Sequence, residues 1–289
     1  MASTKRYNLN SIRRFVPFQT FCAGDKPLTR SVQANAIAIL AEDEPHPLEA
    51  YNENGSSDYV LICEHAGRRI PRRYGDMGLS EEDLQRHIAW DIGAKDVALE
   101  LSTLLDAPLF TQVYSRLVCD CNRRPDVADF APTRSEDTVI SANLDLNEEE
   151  RKARADAIFW PFHNAVTAAL DARAAAGRRT ILVTVHSFTP VFLGNSRPWE
   201  IGVLFNRDNV LSPALAEWLK MNTAYCVGIN QPYSVGDDTD YAIPIHGEQR
   251  GLPCVEIEIR NDLIRTAPAA REWGKVLARA LRETAVKLG

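Results

Sequence analysis

The sequence predicts an α/β fold, a three-layer sandwich with a mixed, mostly parallel sheet covered by helices on both faces. Three observations carry this. Short apolar runs at Tyr59–Cys63, Thr180–Val185 and Pro253–Ile259 have the length and composition of buried strands. Capped segments with helical spacing separate the runs, and strands alternating with helices form parallel sheets covered on both sides. Polar residues able to do chemistry stand at or just past the ends of these runs, where such sheets bind ligands.

The 289 residues suffice for one large α/β domain, and 45% hydrophobic content can fill its core. Residues 1–56 read as an N-terminal extension packing on the core, and residues 57–289 as the catalytic domain. A net charge of -6 gives no electrostatic reason to expect nucleic acid as a partner. An anionic small substrate therefore needs a local basic pocket. The six cysteines lack a CxxC pair and read as reduced, buried small hydrophobes of a cytoplasmic protein. No run of about 18 apolar residues exists to span a membrane. Lys5, Arg6, Arg13 and Arg14 lie in an acid-free start that resembles a transit peptide. It lacks a clear amphipathic period and is read as a basic extension.

In chain order, a short helix is expected over Ser31–Leu40, followed by polar chain to Asp58. The strand Tyr59–Cys63 ends in the turn Glu64-His65-Ala66-Gly67. Ser80 caps a helix whose apolar positions Ile88, Ile92, Val97, Leu101 and Leu105 carry it onward. Pro108–Val113 and Leu117–Cys121 read as strands, and Arg124–Asp145 as a functional loop or lid. Asn147 caps a helix to Ala176 that Pro161 kinks and Gly177 closes. After Thr180–Val185 come a strand at Ile201–Phe205, a helix capped by Ser212 and a short strand near Ala224–Val227. A polar loop, Pro232–Gly251, leads to the strand Pro253–Ile259 and a C-terminal helix over Ala269–Leu288.

His65 and His186 each follow a strand run, so two imidazoles at two strand mouths could converge on one point. Neutral imidazole is the commonest metal ligand, and a catalytic zinc needs three protein ligands and one open position. On the last strand Glu256, Glu258 and Arg260 alternate with Val255, Ile257 and Ile259. Either this is an edge strand with a solvated face, or Glu258 serves as general base in a polar cleft. Asp120, Asn122 and Arg123 form a D-x-N-R run that suits a carboxylate. Arg116 stands where it could stabilise an oxyanion. His46, His87 and His163 read as structural residues, and Trp160, Trp199, Trp218 and Trp273 as packing residues.

These segments resemble the zinc carboxypeptidase pattern in order and type: Asp120-Cys121-Asn122-Arg123, Val185-His186-Ser187-Phe188 and Ile257-Glu258-Ile259-Arg260-Asn261. More closely, the chain resembles the N-formylglutamate amidohydrolase family over roughly Tyr59 to Ile264. Glu64-His65-Ala66-Gly67 with Pro71, Trp90-Asp91, and the run from Ser115 to Arg123 carry that likeness. The resemblance implies an exopeptidase-like fold holding zinc, or another divalent ion, at His65 and His186. It implies Glu258 as the catalytic glutamate; Arg116, from its own position, is the second candidate catalytic residue. The resemblance also implies hydrolysis of N-formyl-L-glutamate to formate and L-glutamate, the last step of one histidine-degradation route. Asp120, Asn122, Arg123, Arg260 and His246 are the candidate contacts for the N-acyl amino acid, although His246 reads first as a loop residue. The carboxypeptidase pattern H-x-x-E fails here, because its acidic position is Arg68. Asp91 is the preferred replacement ligand. Glu64 should point away from His65 on an extended chain. A carboxypeptidase-like exopeptidase and a non-catalytic amino-acid-binding protein are the competing readings.

Overall fold

The computed structural model describes residues 37–208 and 210–288. A seven-stranded sheet organises them, built from β1 (Leu48–Tyr51), β2 (Tyr59–Cys63), β3 (Leu109–Gln112), β4 (Ile181–Phe188), β5 (Ile201–Leu204), β6 (Val227–Ile229) and β7 (Cys254–Arg260). The strand order is β1-β3-β2-β4-β7-β5-β6. β3, β2, β4 and β7 are mutually parallel, β1 is antiparallel to β3 and β5 to β7, and β6 is parallel to β5. The mixed, mostly parallel sheet is therefore as expected. β1 lies within the first 56 residues and completes one sheet edge. Residues 31–36 of the expected first helix lie outside the described residues, and 37–40 are not helical.

Strand alternation splits the core into two layers. Leu61, Val183, Val185, Val255, Ile257 and Ile259 pack against α2 (Ala94–Leu105), α5 (Leu211–Asn222) and α6 (Ala267–Ala285). Val60, Ile62, Leu182 and Cys254 face α4 (Trp160–Ala175) and the irregular chain around it. Each face is covered, which is why the central strands are apolar on both sides away from the site.

Several expected elements change form. The helix begun by Ser80 stops after five residues as α1 (Glu81–Gln85), and α2 starts anew at Ala94. Between them Gly93 takes a left-handed φ of 81°, and a Cβ there would lie 2.2 Å from the Ile264 carbonyl oxygen. Asp91 therefore stands in a turn and not on a helix. Leu117–Cys121 is not a strand. Ser115 folds it into turns, its Oγ accepting from the Leu117 N–H and its carbonyl from the Val118 N–H. Asn147 does cap α3 (Glu148–Arg154), which passes through one wide turn at Ala155–Phe159 into α4. Pro161 follows directly on that wide turn, where the i→i−4 pattern its missing N–H would break is already interrupted. Ser212 is inside α5 and does not cap it. Five cysteines are described and all are free, but Cys226 is exposed where burial was expected; Cys22 lies outside the described residues.

Candidate active site

β4 and β7 lie side by side, and their register sets Glu258 opposite His186 and Glu256 opposite Thr184. With Val255, Ile257 and Ile259 committed to the helical layer, alternation turns these four polar side chains to the other face. β7 is thus a central strand with a polar patch and not an edge strand. On its far side Gly202 of β5 is opposite Glu258. A Cβ at Gly202 would come within 2.1 Å of the Gln231 carbonyl oxygen. Bare backbone there lets the Gln231–Tyr233 segment cross close to Glu258.

His65 lies in the turn after β2, His186 on β4 and Asp91 in the turn before α2. All three are buried. His186 Nδ1 is 3.2 Å from His65 Nδ1 and 2.9 Å from Asp91 Oδ2. His65 Nδ1 is 3.4 Å from Asp91 Oδ2. A tetrahedral ion with ligand bonds of about 2.0–2.1 Å spaces its donors about 3.3 Å apart, so these three atoms fit one metal ion. The remaining ring nitrogens also face carboxylates. His65 Nε2 is 2.7 Å from Asp120 Oδ1, and His186 Nε2 is 3.1 Å from Glu64 Oε2. The second is a charge contact whose angle is not that of a hydrogen bond, since neither atom has a hydrogen-bonded partner. Carboxylates behind imidazoles in this way fix ring orientation. The Ser187 N–H donates to Asp91 Oδ2 at 3.1 Å, and the Asp91 N–H to the His65 carbonyl at 2.9 Å.

Burial works against charge on these groups, but their partners prevail. Burial alone would raise the Asp91 carboxyl, yet His65 and His186 hold it well below the usual range. Asp120 is likewise pulled down against burial, by Arg116 and His65. Burial would strip the proton from His186, but Glu256, Glu64 and Asp91 hold it on. Surroundings that retain a proton here are suited to retain a cation. Burial raises Glu258 well above an ordinary carboxyl, with His186 opposing, and raises Glu256 to about 7.

A cleft of about 710 Å³ opens above this cluster. Arg116 enters it with Nη2 2.8 Å from Asp120 Oδ2 and Nη1 3.4 Å from Asp91 Oδ1. Asn122 lines it too, its Oδ1 accepting from the Tyr241 and Ala242 N–H groups. The Arg123 Nη1 donates to Asp240 Oδ1 at 3.1 Å. Thus His65, Asp91, His186, Glu258, Arg116, Asp120, Asn122 and Arg123 are brought to one cleft. Two expected residues, Arg260 and His246, are not. Arg260 turns past the strand end to Asp262, 2.8 Å away. His246 is buried under the sheet, its Nε2 2.9 Å from His163 Nδ1, and His163 Nε2 is 2.7 Å from the Cys121 carbonyl oxygen. Arg68 is half-exposed near Glu81. Sequence reasoning passed over Asp240 and Tyr233 and set Glu64 aside, although Glu64 left a signal as an acid directly after a wholly apolar strand.

A mixed sheet between helices, with a polar cleft at its strand ends, places the chain among the α/β proteins that bind a ligand at that edge. The sequence profile of the N-formylglutamate amidohydrolase family matches residues 57–265. The chain belongs to that family and is an amidohydrolase. It is similar to gene product Atu2144 from Agrobacterium tumefaciens, at 38% identity and a TM-score of 0.84 over 86% of this chain and 99% of that one. The N-formylglutamate amidohydrolase from Ralstonia eutropha JMP134 is 16% identical, with a TM-score of 0.63 over 84% of this chain and 98% of that one. That second likeness is one of fold. No functionally curated protein matches the chain. Among the described residues, no helix is long and apolar enough to cross a membrane.

Proposed function

We propose that the protein hydrolyses the amide bond of an N-acyl amino acid, with N-formyl-L-glutamate as substrate and formate and L-glutamate as products. His65, Asp91 and His186 would hold a zinc or other divalent ion. The observation that carries this reading is the convergence of two imidazole nitrogens and one carboxylate oxygen beside Glu258 in one cleft.

When bound, the ion supplies Lewis acidity and lowers the pKa of a water to about 7. Asp120 and Glu64 orient the two imidazoles. Glu258, whose ionised form a bound cation would favour, takes a proton from the attacking water. It returns that proton to the leaving amine nitrogen as the C–N bond breaks. Arg116 presents positive charge to the oxygen that becomes negative. Asn122 and Arg123 bind the α-carboxylate. The hairpin strands Arg134–Ser135 and Val191–Phe192 contribute to the cleft walls, which favours a small substrate over a peptide chain.

The test pairs elemental analysis of the purified protein with an assay of formate release from N-formyl-L-glutamate. Zinc near one equivalent with formate release is expected. A folded, metal-loaded protein that cleaves no N-acyl amino acid rejects the reading.

A further inference from the structure

We infer that Arg197 sets the substrate's side-chain class: its guanidinium receives the second carboxylate of a dicarboxylic N-acyl amino acid. This deepens the amidohydrolase reading above and rests on it.

The cleft has an unbalanced charge problem. Asp91, Asp120, Asp240, Glu256 and Glu258 all line it. Its two buried-facing arginines are already engaged, Arg116 by Asp120 and Asp91 and Arg123 by Asp240. With Arg123 given to the α-carboxylate and Arg134 exposed at the cleft rim, a second carboxylate needs another cation within the walls. Arg197 is only 9% exposed and, among the described residues, forms no ion pair. A nearly buried cation without a countercharge is costly unless something else satisfies it.

Three aromatic rings box it. The Arg197 guanidinium carbon lies 4.6 Å from the Phe192 ring centroid, 4.8 Å from Tyr233 and 5.9 Å from Phe188. Nη1 donates to Tyr233 Oη at 2.9 Å. Rings stacked on a guanidinium cover its faces and leave its in-plane N–H groups to bind, in the fork geometry that matches a carboxylate. The same three rings line the cleft. Phe188 follows His186 by two residues on the same face of β4, about 6.6 Å along the strand. One wall of the box, Phe188, is therefore one strand repeat beyond His186 on the cleft side, while Asn122 and Arg123 remain for the α-carboxylate.

The experiment compares kcat/KM for N-formyl-L-glutamate and N-formyl-L-glutamine in the full-length protein and its variants. Wild type should prefer the acid. Arg197→Met should lower the ratio of the two constants by about 30-fold or more, mainly through KM for the acid, as expected for loss of a charge-assisted pair. Arg197→Lys should restore part of the ratio, since charge returns without the fork. An unchanged ratio in Arg197→Met overturns the proposal, whether or not both rates fall together. Calorimetry with glutarate and its monoamide keeps the two readings apart. Glutarate binding that depends on Arg197, in a protein that cleaves no amide, upholds this site and rejects the activity. Amide cleavage with binding indifferent to Arg197 does the reverse.

Discussion

His186 and Glu258 stand side by side on adjacent strands, and the separate jobs proposed for the cluster and for Glu258 make separate predictions. Glu258→Gln should cut kcat by about 10²–10⁴-fold, the usual worth of general acid–base catalysis, while metal content by elemental analysis stays that of wild type. Asp91→Asn should instead lose metal, because it weakens a donor 2.9 Å from His186 Nδ1. Asp120→Asn should weaken metal affinity by about 10–100-fold in chelator competition, since it loosens His65 without removing a donor. His65, His186 and Glu258 were legible in sequence as polar residues at strand ends. Glu64 was not. Alternation would send it away from His65, but both residues lie in the turn beyond Cys63, where a period of two no longer applies. Glu64 is thereby left facing His186.

The element that carries Asp120, Asn122 and Arg123 was read as a strand because Leu117, Val118 and Cys119 are apolar. They are buried in turns instead, and burial has the same composition in either form. Arg154 of α3 holds this segment. Its Nη1 donates to the Val118 carbonyl at 3.1 Å and to Asn143 Oδ1 at 2.6 Å, and its Nε to Tyr74 Oη at 3.0 Å. The side chain is fully buried. Arg154→Met should cost about 3–5 kcal/mol in urea unfolding, because these acceptors lose their donor away from water. The long helix expected from Ser80 failed for a related reason. Its spacing persists, but Gly93 and the hydrogen bond from the Asp91 N–H to His65 break it where the site needs a turn.

Across the molecule, acid should destabilise the fold through the buried pair His163 and His246. His163 Nε2 donates to the Cys121 carbonyl, so its Nδ1 accepts from His246 Nε2 and both rings are neutral. Burial pushes His246 from 6.5 down to about 4, and His163 well below its ordinary value. The folded state therefore resists protonation that the unfolded chain accepts. Stability from His246 is complete above pH 6.5 and falls as pH drops toward 4, by up to about 3 kcal/mol. Urea midpoints measured from pH 7 to 4 should show that decline, and His246→Gln should flatten it. An equally steep decline in the variant would assign the effect to other groups.

Sequence alone set the local periods: which runs are strands, which face of each is apolar, and that chemistry-bearing residues follow them. Those depend on neighbours along the chain. Tertiary structure decided that β4 lies against β7 with His186 beside Glu258, that Asp91 closes the cluster, and that Arg260 and His246 stay outside it. Strand order and register arise from packing between residues far apart in the chain. No local period encodes which atoms meet.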